Sequence, residues 1–297
     1  MPTVNVTSCP VCGSTEKNLF QICKDHFVSG ESFSISRCES CGFCFTDPRP
    51  ALTESIKYYH SEKYVSHSKT TRGITNILFH RARGYTLAFK KRLVSKYTRE
   101  KSILDYGCGT GDFLSVMKSN GWETLGIEPN PDARKHAIDK LSLKVYDEDA
   151  LEGIPDHSLG TITLWHVLEH IYPLKDRIST FHDKLHNDGT LIVAVPNMDS
   201  YDAKHYGKFW AAYDVPRHIY HFVPDTMIKL MAQTGFAHVK STAMVLDAFY
   251  ISLLSEKYKN GSNNFIRSMF MGLLSNLSAF WGNNNYSSLI YIFKKAN

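Results

Sequence analysis

The chain has 297 residues, of which 43% are hydrophobic and 21% charged. That composition suits one large or two ordinary globular domains and excludes a disordered tail. The formal charge of +5, from 34 basic and 29 acidic residues, is too mild to indicate nucleic acid by itself.

No apolar run approaches the ~18 residues that span a bilayer. The opening residues, Met1-Pro2-Thr3-Val4-Asn5, lack the basic and apolar regions of a secretory signal. A cytoplasmic, reducing location is expected, and there cysteines serve more often as metal ligands or buried thiols than in disulfides.

Residues 1–50 read as a small metal-stapled module. Cys9-Pro10-Val11-Cys12 and Cys38-Glu39-Ser40-Cys41 are two C-x-x-C knuckles, each followed by a glycine, Gly13 and Gly42. Four thiolates from two knuckles close a tetrahedral site, so Cys9, Cys12, Cys38 and Cys41 are expected to hold a structural Zn2+. Reduced, metal-free cysteines are the alternative. Cys44 is a spare ligand, and Cys23 and Cys108 read as buried thiols. Residues 51–100 read as a helical connector whose basic run, Arg81, Arg83, Lys90, Lys91, Arg92, Lys96 and Arg99, is expected to be a solvated face.

From residue 101 onward, short strands alternate with helices. Strands are expected at 103–106, 122–128, 143–146, 161–166 and 190–195, with helices at 111–119, 131–140 and 174–186. This alternation predicts an α/β fold with a doubly wound, mostly parallel sheet, and places ligands at the carboxyl ends of its strands. A loop dense in Tyr, His and Trp follows to about residue 223. Then come a helix over 224–234, a strand over 239–245 and a final strand near 288–293. Two helices, about 247–258 and 265–281, form an insertion over about 247–282. The second carries Met269, Met271, Leu273, Leu274, Leu277 and Phe280, a stripe expected to be core or pocket wall, with a membrane-surface helix as the alternative.

Asp105-Tyr106-Gly107-Cys108-Gly109-Thr110-Gly111 joins a strand to a helix. Glycines at alternate positions allow a sharp turn and close approach to a ligand, and the helix end offers free N–H groups. Glu128 closes the next strand, where a carboxylate accepts from ribose hydroxyls. A dinucleotide fingerprint requires glycine where this chain has Asp112. That disfavours the alternative of an NAD-binding oxidoreductase.

The segment Ile103 to Phe113 resembles motif I of class I S-adenosylmethionine-dependent methyltransferases, of the type 11, 12 and 23 groups. The likeness extends over roughly residues 101–236. Asp149-Ala150, Leu164-Trp165-His166-Val167-Leu168-Glu169-His170 and Asn187-Asp188-Gly189-Thr190-Leu191 match the segments after the third and fourth strands and before the fifth. One departure is Gly160, where many members carry Asp. The resemblance implies a seven-stranded Rossmann-like sheet and S-adenosyl-L-methionine held by Asp105, Gly107, Cys108, Gly109, Gly111, Glu128, Asp149 and His166. The N-terminal module resembles the zinc-binding segment in front of some methyltransferases that act on nucleotide-linked sugars.

Two further features bear on the acceptor. Residues 166–170 also fit H-x-x-E-H, an inverted zinc-protease motif, but at a strand end with Pro173 close behind. Asp214-x-Pro216-Arg217-His218-x-x-His221-Phe222 follows the fifth strand and resembles a segment of one broad methyltransferase subgroup. Removing a proton from an acceptor calls for a base that titrates near neutrality. His218 or His221 is expected in that role, with His166 third. Trp210, Tyr213, Arg217 and Tyr220 are expected to bind the acceptor. Arg217 paired with Asp214 inside an aromatic lid is the alternative. Asp247 and Tyr250 are weaker candidates for the same pocket. The expected acceptor is a small molecule or sugar nucleotide. Protein or RNA is the alternative, disfavoured because residues 1–50 are not basic. Oligomeric state is left open.

Overall fold

The computed structural model describes residues 3–59, 74–262 and 264–296. Part of the expected helical connector, residues 60–73, lies outside them.

The expected sheet is present. Its strands are β6 (Ser102–Tyr106), β7 (Glu123–Ile127), β8 (Val145–Tyr146), β9 (Leu159–Trp165), β10 (Leu185–Pro196), β12 (Phe236–Ala243) and β13 (Ser288–Lys295). They lie side by side in the order β8-β7-β6-β9-β10-β13-β12. All pairs are parallel except those made by β13, which runs antiparallel to β10 and to β12. The central strands β9 and β10 are buried along nearly their whole length. Helices on both faces leave no solvated side, which is why these strands read as continuous apolar runs.

The chain winds outward from β6 in one direction and from β9 in the other. The crevice between their carboxyl ends is therefore the switch point where such sheets bind ligands. Around the sheet lie α2 (Ile74–Tyr97), α3 (Asp112–Ser119), α4 (Pro131–Leu141), α5 (Leu174–Lys184) and α7 (Pro224–Gln233). α4 shows how local sequence sets a boundary. Asn130 accepts from the amides of Asp132 and Ala133, Pro131 occupies the first turn, and the helix stops at Ser142 in the left-handed region.

The N-terminal residues form β1 (Thr3–Val4), β2 (Lys17–Lys24), β3 (Ser32–Cys38), β4 (Cys44–Thr46) and β5 (Arg49–Pro50), followed by the single turn α1 (Leu52–Ser55). The module's sheet is completed from the far end of the chain. β11 (Tyr220–His221) pairs with β4, giving the order β11-β4-β3-β2. Val11, Phe43 and Phe45 share one continuous core with Leu164, Val193 and Phe222.

The insertion comprises α8 (Asp247–Asn260) and α9 (Phe265–Trp281), packed on α6 (Tyr201–Tyr206). α9 turns its small residues inward: Ser268, Gly272, Ser275 and Ala279 are buried together with Met271. A Cβ at Gly272 would lie 2.6 Å from the Phe249 ring, so the two helices cross at close range. The large apolar residues Ile266, Phe270, Leu273, Phe280 and Trp281 point outward and are exposed. The expectation of a core stripe therefore holds for Met271 and Leu274, which pack into a core cluster, and fails for Leu273 and Phe280. Two buried carboxylates fix the insertion. Asp202 accepts from Trp210, Ser275 and Ser287, and Glu256 accepts from Tyr206, Asn260 and Arg267.

Candidate active site

The glycine loop lies at the carboxyl end of β6. The amides of Gly107 and Cys108 both donate to the Ile127 carbonyl, at 2.7 and 3.1 Å, which ties the loop to β7. All three glycines have positive φ. Their surroundings separate two roles. A Cβ at Gly107 would lie 2.5 Å from Val167, and one at Gly111 would lie 2.5 Å from Leu143, so both are demanded by packing. A Cβ at Gly109 would meet nothing within 4 Å. The backbone there faces open space, as a cradle for a ligand must.

Two buried carboxylates stand at this end of the sheet. Glu128 is buried and accepts from the Gly109 amide at 2.7 Å and the Asn130 amide at 2.9 Å. Burial raises its pKa, and those amides offset only part of the rise. Asp105 is buried and accepts from the Thr163 hydroxyl at 2.6 Å. Burial pushes its pKa up to about 7 although Thr163 and the Lys90 ammonium pull the other way. A carboxyl so enclosed favours a cationic ligand that can take the place of water. Lys90 itself reaches in from α2, 4.3 Å above the Trp165 ring, and burial lowers its pKa. Cys108 is a buried thiol, raised by burial. Asp149 lies exposed on the rim, in the turn Glu148–Leu151.

His166 stands just past β9 with φ at +60°, a strained conformation for a non-glycine residue. Its Nε2 lies 3.0 Å from Asp247 Oδ2 and its Nδ1 3.5 Å from Glu169 Oε1. Burial would lower its pKa, but Asp247 and Glu169 outweigh burial and raise it to about 9. Glu169 and His170 belong to a short 3-10 turn, Leu168–His170, so His166 and His170 do not share a helix face as a zinc-protease helix requires.

The 214–222 segment lies between the sheet edge and the N-terminal module. Arg217 is enclosed there. Its Nε and Nη2 donate to Asp214 at 2.9 and 2.6 Å, Nη2 to Asp25 at 3.0 Å, and Nη1 to the Tyr58 carbonyl at 3.0 Å. Trp210 donates to Asp202, Tyr213 stacks edge-on against Trp210 and His221, and the Tyr220 hydroxyl accepts from Arg49. His221 is buried, with Nε2 3.1 Å from the Thr46 hydroxyl, and burial pushes its pKa down to about 3. Thus Asp105, Gly107, Cys108, Gly109, Glu128 and His166 share one sheet edge. Trp210, Tyr213, Arg217, Tyr220 and His221 sit in internal contacts that join the module to the sheet domain. His218 is half-buried between the two groups, its Nδ1 donating to the Ala212 carbonyl at 2.8 Å.

Sequence reasoning missed Thr163, Asp25 and Thr46, and it placed Lys90 on a solvated face, whereas the ammonium lies enclosed over Trp165. For Lys90 a signal existed: with Leu87, Val94 and Tyr97 it falls on one helical stripe, and those three pack into the core.

In the N-terminal module the Sγ atoms of Cys9, Cys12, Cys38 and Cys41 all lie within 4.8 Å of one another. Gly13 and Gly42 are left-handed at φ +77°, and their amides donate to the Cys9 and Cys38 carbonyls. The two knuckles face each other as a tetrahedral ion requires, so this donor set fits Zn2+. Cys44 stands apart, beneath Arg37.

The family model described as a methyltransferase domain matches residues 78–241, more than half of the chain. Among curated proteins, an uncharacterized methyltransferase of Geobacillus thermodenitrificans is 28% identical over 97 residues, 31% of this chain and 45% of that protein. One of Bacillus velezensis is 34% identical over 73 residues, 24% of this chain and 34% of that protein. The chain thus spans less than half the length of these relatives. Magnesium protoporphyrin IX methyltransferase from Synechocystis PCC 6803, solved with bound SAH, shares the fold with a TM-score of 0.55. Its sequence is 12% identical, and the match covers 83% of this chain and 100% of that one. With the strand order, the glycine loop and its two carboxylates in register, the chain belongs to the methyltransferase-domain family, in its class I S-adenosylmethionine-dependent form.

Proposed function

We propose that the protein transfers a methyl group from S-adenosyl-L-methionine to a small-molecule or sugar-nucleotide acceptor. What carries this reading is the open space over Gly109, with Glu128 bound to its amide and Asp105 buried on the strand that leads into the loop. Bound there, the cofactor supplies an electrophilic methyl group on a sulfonium. Glu128 would accept from the ribose hydroxyls, Asp105 would face the cationic end, and Asp149 would stand at the adenine rim.

The acceptor has to be aligned with that methyl group and relieved of a proton. Of the three histidines expected as base, His166 is favoured by position. It stands at the sheet edge, and Asp247 orients its ring as an acid orients a catalytic imidazole. Because Asp247 and Glu169 raise its pKa to about 9, turnover should climb as pH rises toward that value. His218 comes next, and His221 is enclosed behind Thr46. A narrow crevice lined by Pro196, Met198, Trp210, Ala212, His218, Tyr220, His221 and Phe222 opens beside this edge, with an enclosed space of only about 10 Å³, so an acceptor would have to widen it or enter from elsewhere. Zn2+ in the four-cysteine cluster would hold the module, and with it β11, in place. Among the described residues no helix is long and apolar enough to cross a membrane, and the reading retains a cytoplasmic location.

Calorimetry with S-adenosylhomocysteine against NAD tests the proposal. Saturable binding of the former alone is expected, and binding of NAD alone would overturn the reading. His166→Asn should lower kcat by ~10²–10⁴ with cofactor affinity retained. Full turnover in that variant would remove His166 as the base.

A further inference from the structure

Glu169 is fully buried, and neither of its carboxylate oxygens has a hydrogen-bond partner. Among the described residues it is the only buried carboxylate in that condition. Asp202, Glu256 and Asp105 are each supplied with donors. Its nearest polar neighbours are the imidazoles of His166, at 3.5 Å, and His218, at 3.9 Å, both longer than a hydrogen bond; a buried carboxylate held this loosely has room for a cation.

Two imidazoles stand beside it. His170 Nδ1 lies 2.9 Å from the Arg217 carbonyl and His218 Nδ1 2.8 Å from the Ala212 carbonyl. A carbonyl only accepts, so each ring carries its proton on Nδ1, which in His170 also faces the Tyr59 hydroxyl at 3.0 Å, and offers Nε2 as a lone pair. Backbone partners that fix the tautomer in this way are the usual support of metal-bound histidines. One ligand atom from each of Glu169, His170 and His218 lies within 4.8 Å of the other two. His218 Nε2 is 3.9 Å from Glu169 Oε1. Ligands on a tetrahedral ion with ~2.1 Å bonds stand about 3.4 Å apart, so little closure is needed. Asp25 and Asp214 already share the guanidinium of Arg217, so among the described ion pairs Glu169 has only histidines beside it.

We propose that Glu169, His170 and His218 form a site for a divalent transition metal, separate from the four-cysteine cluster. Two imidazoles and a carboxylate suit zinc, iron, manganese or nickel. Three protein ligands leave a coordination position open, as sites that handle substrates do. His166 Nδ1 lies 3.5 Å from Glu169 Oε1. An ion here would therefore hold an acceptor oxygen within reach of the proposed base. That purpose rests on the methyltransferase reading, whereas binding of the ion does not.

The test uses the full-length, reduced, zinc-loaded protein titrated with Co2+. Expected is one further equivalent whose visible spectrum shows weak nitrogen–oxygen bands and no thiolate charge transfer, with a rise in melting temperature. Glu169→Gln and His218→Gln should each weaken that equivalent at least ~100-fold while the cysteine-bound zinc stays in place. Glu169→Gln keeps the side chain's shape and removes a buried charge, so the metal-free variant should fold. The proposal is overturned if wild type takes up no further Co2+, if the added ion shows thiolate charge transfer, or if both variants bind as wild type does. In the first case imidazolium is the counter-charge of Glu169. S-adenosylhomocysteine calorimetry on the same samples separates the two readings: lost cofactor binding with intact Co2+ uptake would count against the methyltransferase proposal alone.

Discussion

Arg217→Leu tests whether the 214–222 segment holds the fold or holds the acceptor. The guanidinium makes four hydrogen bonds to three separate stretches of chain, and its side chain is 3% exposed. Breaking a buried ion pair by removing one partner costs ~3–5 kcal/mol, because the other charge is left behind. The lower part of that range applies here. Asp214 is 28% exposed and can recover water, and Asp25 keeps the amides of Phe27, Val28 and Ser29. At ~2–4 °C per kcal/mol for a domain of this order of size, a loss of about 3–4 kcal/mol lowers the melting temperature by about 6–16 °C. Thermal denaturation of the purified protein at neutral pH measures it. A melting temperature within about 2 °C of wild type, together with a raised KM, would refute the reasoning and return Arg217 to the acceptor. The acid side gives a second check. Burial raises the Asp25 pKa, but the Ser29 amide and Arg217 outweigh burial and hold it below the usual range. The stabilisation is therefore complete above the unfolded value of about 4 and fades as pH falls through the lowered folded value. The gap between wild type and Arg217→Leu should close in acid.

Asp105 has the opposite sign. With its folded pKa raised to about 7 by burial, it opposes folding as pH rises from ~4 toward that value. Ionising it favours a cationic ligand. S-adenosylmethionine affinity, followed by calorimetry, should climb up to ~10-fold per pH unit below about 7 and then level off. An affinity that is flat from acid to alkaline pH in the wild type would count against Asp105 facing the cofactor, and Asp105→Asn should be flat and weak. Gly109→Ala should largely keep the melting temperature, at a backbone cost of ~1–2 kcal/mol, yet lose S-adenosylhomocysteine binding. Gly107→Ala should destabilise further, since its Cβ would lie 2.5 Å from Val167. Equal melts for the two would undo the distinction drawn between those glycines. Elemental analysis should find zinc in the wild type and none in Cys38→Ser, whose sheet domain should also melt lower because the module shares its core. A variant that keeps its zinc, or melts unchanged, would contradict this.

Features whose signal is local were legible in the chain alone. The glycine loop and the two cysteine knuckles each lie within a few tens of residues, and the alternation from β6 to β10 is built of units of that length. Their spacing reflects geometry that forms locally. The insertion helices were placed to within two residues. What escaped was set by distant partners. Nothing near Tyr220 and His221 shows that they pair with Phe45 and Cys44. Nothing near Arg217 shows that Asp25 and the Tyr58 carbonyl complete its shell. The aromatic and charged side chains of that segment therefore read as an acceptor site, although most of them lie in the join between module and sheet. α9 misled for another reason. Its small residues allow close helix packing, and hydrophobicity alone assigns the inner face to its larger neighbours.

The pairing of β11 with β4 also has a consequence for how the chain comes into being. Thr46 and His221, in contact across it, are 175 positions apart. Closing so long a loop is entropically slow, and contacts of this separation retard folding. At about 5–20 residues per second of synthesis, the edge of β4 waits roughly 9–35 s on the ribosome for its neighbour. An unpaired strand edge carrying Phe43 and Phe45 is a template for misassociation during that interval. Early capture of zinc by Cys9, Cys12, Cys38 and Cys41, all made before the edge is complete, would hold the nascent module in shape until the rest of the enzyme arrives to cover it.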